Sequence, residues 1–219
     1  ALQGLNVVMC LDRGGLVGED GVTHHGVFDM AAFGAVPGLT IAAPMNEPEL
    51  RNMMYTALGS GHPFMIRYPR GHGEGLPWRG EKFETLPVGR GRRLREGADV
   101  ALLTVGTVGN AAARAAGRAA AEGVSVAHYD LRFVKPLDEA LLDEVGRKFR
   151  RVVTVEDGSL RGGVGEAVAA FFNGRGYDVR VQRLGIGDEW VEHGTPGQLY
   201  ALCGYDEEGI LRALLDTRA

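Results

Sequence analysis

Four side chains that could bind an anion or move a proton lie in two short stretches of this chain. Arg13, Asp20 and His24 fall within residues 12–29, and Arg70 follows a separate apolar run. A guanidinium offers a fork of N–H donors that fits a phosphate or a carboxylate. A histidine beside a carboxylate can hold or transfer a proton near neutral pH. These residue types indicate a site for an anionic ligand with an acid–base group nearby.

Residues 12–29, here called the glycine-rich loop, contain five glycines among eighteen residues. That density is unfavourable inside a helix or strand, and it suits a backbone that turns sharply or approaches a ligand closely. The loop follows the apolar residues 7–11, which predict a buried strand. Because ligands of open α/β sheets bind beyond the carboxyl ends of strands, we expect the site here.

The spacing leaves two interpretations of these side chains open. Arg13 and Arg70 each lie just past a predicted parallel strand and could converge on an anion such as a phosphate. Asp20 and His24 could form a hydrogen-bonded pair in which the carboxylate orients the imidazole and favours its protonated form. Alternatively they are ordinary loop residues, with Asp20 and Gly21 forming a plain turn. Spacing alone favours the functional interpretation only slightly.

Apolar runs and amphipathic stretches alternate along the rest of the chain, which predicts an α/β fold with parallel sheets. Glycine, proline and charge dominate residues 71–97, so we place a domain boundary near residue 85, giving domains 1–85 and 86–219. Strands are predicted at 5–11, 39–43, 64–68, 100–105, 124–129, 152–155 and 179–184. Helices are predicted at 28–33, 46–58, 108–122, 138–149, 163–173, 196–203 and 206–216.

Composition argues against several classes of protein. A net charge of −4 does not favour a nucleic-acid-binding surface, and no apolar run reaches the length of a membrane span. Cys10 and Cys203 sit in apolar segments without zinc spacing, so we expect buried free thiols in a reducing compartment, the cytoplasm. No metal site is predicted, since the adjacent His24 and His25 would point in different directions if extended.

Two glycine clusters resemble incomplete cofactor loops. Gly106 and Gly109 follow a predicted strand, and Asp130 ends the next strand, as in a dinucleotide-binding unit. The pattern is G-x-x-G rather than G-x-G-x-x-G, and the cluster at 162–165 is also incomplete. Both clusters are therefore predicted to be turns that begin helices.

Longer motifs match a known enzyme family. The glycine-rich loop, Asp-Arg-Gly-Gly-Leu-Val-Gly-Glu-Asp-Gly-Val-Thr-His-His-Gly-Val-Phe-Asp, resembles that of the 1-deoxy-D-xylulose-5-phosphate synthases, roughly D-R-A-G-x-V-G-x-D-G-x-T-H-Q-G-x-F-D. Residues 68–71 match the family's Y-P-R-G, 130–138 resemble its D-x-R-F-x-K-P-L-D, and 192–194 fit its C-terminal segment. The matches span the chain in order. Gly14 replaces the usual alanine, and His25 stands where glutamine is common.

This resemblance implies a fold and an activity. Residues 1–85 resemble the latter half of a thiamine-diphosphate pyrimidine-binding domain, and 86–219 resemble a transketolase C-terminal domain. The family condenses pyruvate with glyceraldehyde 3-phosphate, releasing CO2, with thiamine diphosphate and Mg2+ as cofactors. That reaction begins the non-mevalonate isoprenoid pathway and feeds thiamine and pyridoxal synthesis. The family also dimerises through these domains, so a homodimer is expected.

The resemblance also implies roles for individual residues. Arg13, Arg70 and Tyr68 correspond to substrate-binding positions, with the arginines suited to the phosphate of the aldose. His24 and Asp20 correspond to catalytic positions. His24 would hydrogen-bond substrate oxygens and assist proton transfer at the developing alkoxide, and Asp20 would hold His24 or a substrate hydroxyl.

Part of the family's machinery is missing from the sequence. The Mg2+–diphosphate motif, a G-D-G followed by an asparagine, does not occur, and the glutamate that activates the cofactor would lie upstream of Ala1. We therefore expect a fragment that is inactive alone and has the upstream half of the same enzyme as its partner. The alternatives are part of a transketolase or a 2-oxo-acid dehydrogenase β subunit, or a non-catalytic dimerisation or regulatory module.

Overall fold

Nine strands and seven helices make up the part of the chain that the computed structural model describes, residues 1–80 and 82–216. Residues 217–219, the end of the second predicted domain, lie outside it. In chain order the elements are β1 (Val8–Leu11), α1 (Asp29–Gly34), β2 (Thr40–Ala42), α2 (Glu47–Leu58), β3 (Phe64–Arg67), β4 (Arg92–Arg95), β5 (Val100–Val105), α3 (Val108–Ala121), β6 (Val126–Asp130), β7 (Phe133–Lys135), α4 (Glu139–Lys148), β8 (Arg151–Ser159), α5 (Val164–Gly174), β9 (Arg180–Ile186), α6 (Pro196–Leu202) and α7 (Glu207–Leu215).

The first sheet has the strand order β1-β3-β2-β7. β3 lies in the interior and pairs in parallel with β1 and β2, and Leu11 at the end of β1 is opposite Arg67 at the end of β3. The loops that carry Arg13 and Arg70 therefore leave the sheet at the same edge, as the predicted parallel strands require. β7, which the sequence did not predict, pairs antiparallel with β2. The boundary near residue 85 stays a prediction, and this strand from beyond it completes the first sheet.

The second sheet has the order β4-β6-β5-β8-β9, and it is parallel except for the edge strand β4. Alternate residues of β5 point to opposite faces, as a strand buried on both sides requires. Val100 and Leu102 pack with the alanine-rich face of α3 and with α7. Ala101 and Leu103 pack with α4 and α5 on the other face. These two apolar layers hold the predicted βαβ units together.

Side-chain caps explain why several helices begin where they do. Asn46 accepts a hydrogen bond from the Glu49 amide at 3.1 Å, which confirms the predicted N-cap of α2. α3 begins at Val108, between Gly106 and Gly109, and α5 begins at Val164, between Gly163 and Gly165, so each glycine cluster spans the start of a helix. Both clusters are thus helix-start turns, as predicted.

A network of four charges, with two buried acids and two partly buried arginines, joins α2 to the second sheet. The Glu49 carboxylate accepts two hydrogen bonds from Arg132, at 2.7 and 2.8 Å, and pairs with Arg92 at 2.8 Å. Arg92 also pairs with Asp130, which accepts the Arg132 amide. Burial raises the pKa of Asp130 to about 6, against the opposing effect of Arg92. The carboxylate of Asp130 is therefore bound by Arg92 and by the Arg132 amide of the same chain.

Contrary to the prediction, neither of the two cysteines is fully buried. Cys10 is exposed and Cys203 is half-buried, and both are free. β1 is an edge strand, so its apolar sequence does not guarantee burial on both faces. The strand is also shorter than predicted, and Leu5 and Val7 before it are exposed. Within the described residues, no helix is both long and apolar enough to cross a bilayer.

Candidate functional site

Arg13 and Arg70 converge on one carboxylate oxygen. Nη1 of each arginine lies 2.6 Å from Oδ2 of Asp20. Arg13 follows β1 in the left-handed backbone region, with φ of 60°, and Arg70 follows β3. Their side chains are 40% and 44% exposed, and that of Asp20 is 33% exposed. The convergence expected from the sequence is present, and the anion between the guanidinium groups is the chain's own Asp20.

His24 does not pair with Asp20, contrary to the prediction. Its Nδ1 lies 3.0 Å from the hydroxyl of Thr23, and the residue is exposed. Two guanidinium groups bind a carboxylate more strongly than one imidazole does, because both donors are charged. The backbone nearby is a turn, in which the His24 amide donates to the Gly21 carbonyl at 3.0 Å.

His25 points into the loop while His24 faces solvent. The Nδ1 atom of His25 accepts the Val17 amide at 3.1 Å, and its Nε2 lies 3.4 Å from the carbonyl of Glu192. The ring therefore acts as acceptor on one side and donor on the other. A glutamine amide, common here in the resembling family, offers the same two functions. Apart from that substitution, no sequence pattern indicated this structural role.

Arg67, which the sequence analysis missed, fixes the far end of the glycine-rich loop. Its side chain is 4% exposed, and its Nε donates to Oδ2 of Asp29 at 2.7 Å. Its Nη2 donates to the carbonyls of Asp157 and Gly26 at 2.9 and 3.3 Å. A charged residue at the end of an apolar strand was the available signal, since a buried arginine needs such partners.

Asp157 holds the near end of the same loop from the second sheet. Oδ1 accepts the Leu16 amide at 3.0 Å and the Tyr205 hydroxyl at 2.8 Å, and Oδ2 accepts the Tyr200 hydroxyl at 3.2 Å. Burial raises the pKa of Asp157 and those of both tyrosines. A Cβ on Gly15, whose φ is 86°, would lie 1.9 Å from Oδ2. The sequence signal was an acidic pair directly after the strand predicted at 152–155.

A cleft of about 580 Å³ lies beside the arginine pair. Tyr68 and Arg70 line it together with the starts of α2 and α3, and Tyr200 and Tyr205 also belong to its lining. Burial raises the pKa of the Tyr68 phenol, with smaller contributions from Cys10 and Asp12. The structure thus brings Tyr68, Arg70, Asp20 and Arg13 into one region. The roles assigned to these residues stay predictions.

The segment after Arg70 is fastened to the start of α2. The Gly75 amide donates to Oε1 of Glu47 at 2.7 Å. The pKa of Glu47 is lowered by its own backbone N–H and by those of residues 74–76. A Cβ on Gly73 would lie 2.2 Å from the same oxygen, so the backbone wraps closely around the carboxylate. The segment is thus anchored to α2 five residues beyond Arg70.

Comparison with known families places both parts of the chain. Residues 1–74 match the model of the transketolase pyrimidine-binding domain, and residues 89–210 match that of the transketolase C-terminal domain. The chain belongs to the transketolase C-terminal domain family. The predicted fold, a pyrimidine-binding part followed by a C-terminal α/β domain, is thereby confirmed.

Relatives and a solved structure agree with this family. The chain is 57% identical over 220 residues to the 1-deoxy-D-xylulose-5-phosphate synthase of Bacteroides fragilis, covering 100% of this chain and 34% of the relative. Identity to the enzyme of that name from Symbiobacterium thermophilum is 46%, covering 96% and 32%. The chain spans about a third of the length of these curated relatives. A solved "split gene transketolase, inactive beta4 tetramer" superimposes with a TM-score of 0.83 at 27% identity, covering 98% of this chain and 67% of that one.

Proposed function

We propose that the chain forms the glyceraldehyde 3-phosphate-binding part of a 1-deoxy-D-xylulose-5-phosphate synthase, which condenses that substrate with pyruvate and releases CO2. One observation carries the proposal. Two arginines, each just beyond one of two neighbouring parallel strands, meet within 2.6 Å of a single oxygen at the carboxyl edge of the sheet. The 57% identity to a synthase of that name over the whole chain supports it.

The arginine pair suits a phosphate. Each guanidinium donates one Nη1 to Asp20 and keeps other N–H donors in its fork, so a phosphate can bind without complete loss of the carboxylate contact. Two arginines and one aspartate leave a net charge of +1, which favours a dianionic ligand. Tyr68, at the edge of the cleft, offers a hydroxyl to the same substrate. Because Asp20 does not hold His24, we assign its other carboxylate oxygen, Oδ1, to a substrate hydroxyl.

His24 is proposed as the acid–base group. Its Nδ1 is held by Thr23, and no residue in 1–80 or 82–216 forms a hydrogen bond to Nε2. A ring fixed on one side and open on the other can hydrogen-bond a substrate oxygen and move a proton at the developing alkoxide. Its exposure leaves room for that ligand.

Thiamine diphosphate and Mg2+ belong to the proposed reaction, and the described residues of this chain do not fit the metal ion. Within 1–80 and 82–216, no group of three or more His, Cys, Asp or Glu residues could hold a metal ion. We therefore propose that the metal ion and the diphosphate group are held by the upstream half of the enzyme and that this chain alone is inactive. We also propose that the active form is a homodimer in the cytoplasm. The free thiols of Cys10 and Cys203 suit a reducing compartment.

Reconstitution tests this function. The chain is combined with a polypeptide supplying the remaining two thirds of a synthase, and formation of 1-deoxy-D-xylulose 5-phosphate and CO2 is measured with thiamine diphosphate and Mg2+ present. We expect product from the mixture and none from either part alone. Product from this chain alone would refute its predicted inactivity. Turnover of ketose phosphate donors in place of pyruvate would instead support a transketolase. Transketolase is the second candidate because the similar solved structure is a transketolase.

A further inference from the structure

We propose that Asp157 is a positioning residue, through which the second sheet sets the conformation of the glycine-rich loop and hence the placement of Arg13. Asp157 lies on β8, and Arg13 lies just beyond β1 of the other sheet. The structural part of this inference stands by itself, and its consequence for substrate binding rests on the proposed function.

The geometry around the carboxylate is that of a clamp, defined here as Asp157 with Tyr200 and Tyr205. The carboxylate is 4% exposed, and three donors reach its two oxygens: both hydroxyls and the Leu16 amide. Two of these donors belong to the C-terminal part of the chain, whereas the third is loop backbone. The carboxylate therefore ties the loop to a rigid wall of the second domain.

The backbone of the glycine-rich loop packs closely against this clamp. Gly15 lies against Oδ2 with no room for a Cβ, and it forms a two-way backbone bridge with Gly26, with N–O distances of 2.8 and 2.9 Å. Arg67 donates to the carbonyl of Gly26 and to that of Asp157. Both ends of the loop are consequently held at the same place on β8.

Arg13 is sensitive to this arrangement because only Gly14 separates it from the bridged residue. The carbonyl of Arg13 would lie 2.2 Å from a Cβ on Gly26, so its backbone is packed against the bridge. If the Leu16 amide moved, the backbone of Arg13 would move with it, and that backbone already occupies the left-handed region. Small displacements of a ligand-binding group lower its affinity strongly.

Amide hydrogen exchange on the chain itself tests the positioning. In Asp157→Asn the amides of Leu16, Gly15 and Gly26 should exchange about tenfold faster, because opening of the loop no longer breaks charge-assisted bonds. Tyr205→Phe, which keeps the volume and removes one donor, should accelerate the same amides by a smaller factor. The matched control, Asp178→Asn, changes a 94% exposed carboxylate and should leave the loop unchanged. Unaltered exchange at Leu16, or equal acceleration in β5 and β8, would overturn the proposal.

Kinetics of the reconstituted enzyme separate positioning from general support of the fold. Asp157→Asn should raise the KM for glyceraldehyde 3-phosphate about tenfold and leave the KM for pyruvate within about twofold, since only the phosphate contact is displaced. Equal changes in both KM values would contradict a positioning role. If the unmodified assembly makes no product from these substrates, the proposed function fails, whereas the exchange result still decides whether Asp157 sets the loop.

Discussion

Asp20 and Arg70 lie fifty positions apart in the sequence, yet Oδ2 of Asp20 is 2.6 Å from Nη1 of Arg70. The contact joins the loop after β1 to the segment after β3. It also keeps two guanidinium groups close together that would otherwise repel each other. The aspartate therefore holds the two guanidinium groups in the arrangement that we propose binds the phosphate of the substrate.

Arg70→Ala should weaken use of glyceraldehyde 3-phosphate far more than use of pyruvate. Removing a guanidinium that pairs with a phosphate costs on the order of 2–5 kcal/mol, and the 44% exposure of this side chain places the effect toward the lower figure. Steady-state KM values of the reconstituted enzyme measure it. Arg150→Ala removes a 78% exposed arginine elsewhere and serves as the matched control. An unchanged KM for the phosphate substrate would remove Arg70 from the binding site.

His24→Gln distinguishes proton transfer from hydrogen bonding. Glutamine can donate a hydrogen bond and cannot be protonated near neutral pH. If His24 moves a proton, the variant should lose the limb of the pH–rate profile that belongs to the imidazole, and its kcat should fall by about 10²–10⁴-fold. Profiles of kcat and kcat/KM between pH 5 and 9 measure this. A variant with the same profile shape as the parent would limit His24 to hydrogen bonding.

Local sequence was sufficient to predict most of the helices and strands and the edge at which the site lies. The periodicity of α2 and its Asn46 cap were visible because both depend on neighbouring residues. Arg13 and Arg70 could be placed at one edge because the carboxyl ends of parallel strands coincide. The motif resemblance then supplied the roles.

What could not be predicted depends on contacts between distant segments. Asp20 has several donors within reach, and only the folded chain shows that Arg13 and Arg70 occupy it in place of His24. Asp157 is 141 residues from the Leu16 amide whose hydrogen bond it accepts, so the acidic pair after the predicted strand could not by itself reveal this contact. Exposure of Cys10 followed from the position of β1 at a sheet edge, which its apolar sequence does not reveal.

Gly15→Ala should destabilise the fold, since the new methyl group would overlap the Asp157 carboxylate in a backbone conformation with φ of 86°. Left-handed strain and overpacking together should cost at least about 2 kcal/mol. Gly34→Ala, at the end of α1, has open space and no positive φ, so it should be neutral or slightly stabilising. Urea unfolding of both variants measures the difference, and equal midpoints would contradict the close contact with Asp157.

Glu156 should make stability fall as the pH rises. Its carboxylate is buried at the start of α5, where it accepts the amides of Val164 and Gly165 at 2.7 and 2.8 Å. Burial raises its pKa from 4.5 to about 7 despite those two donors. The folded chain therefore binds a proton between these values that the unfolded chain has released, and the free energy of unfolding decreases across this window.

Glu156→Gln isolates that contribution, because the amide does not titrate and the other buried acids are shared with the parent. From pH 5 to pH 8 the parent should lose stability relative to the variant by about 3 kcal/mol at most, since one pKa unit corresponds to about 1.4 kcal/mol. Urea unfolding at intervals of half a pH unit gives the difference. Loss of one acceptor to the α5 amides lowers the stability of the variant by a constant amount and leaves the slope unaffected. A difference that stays flat with pH would show that Glu156 is ionised in the folded chain throughout this range.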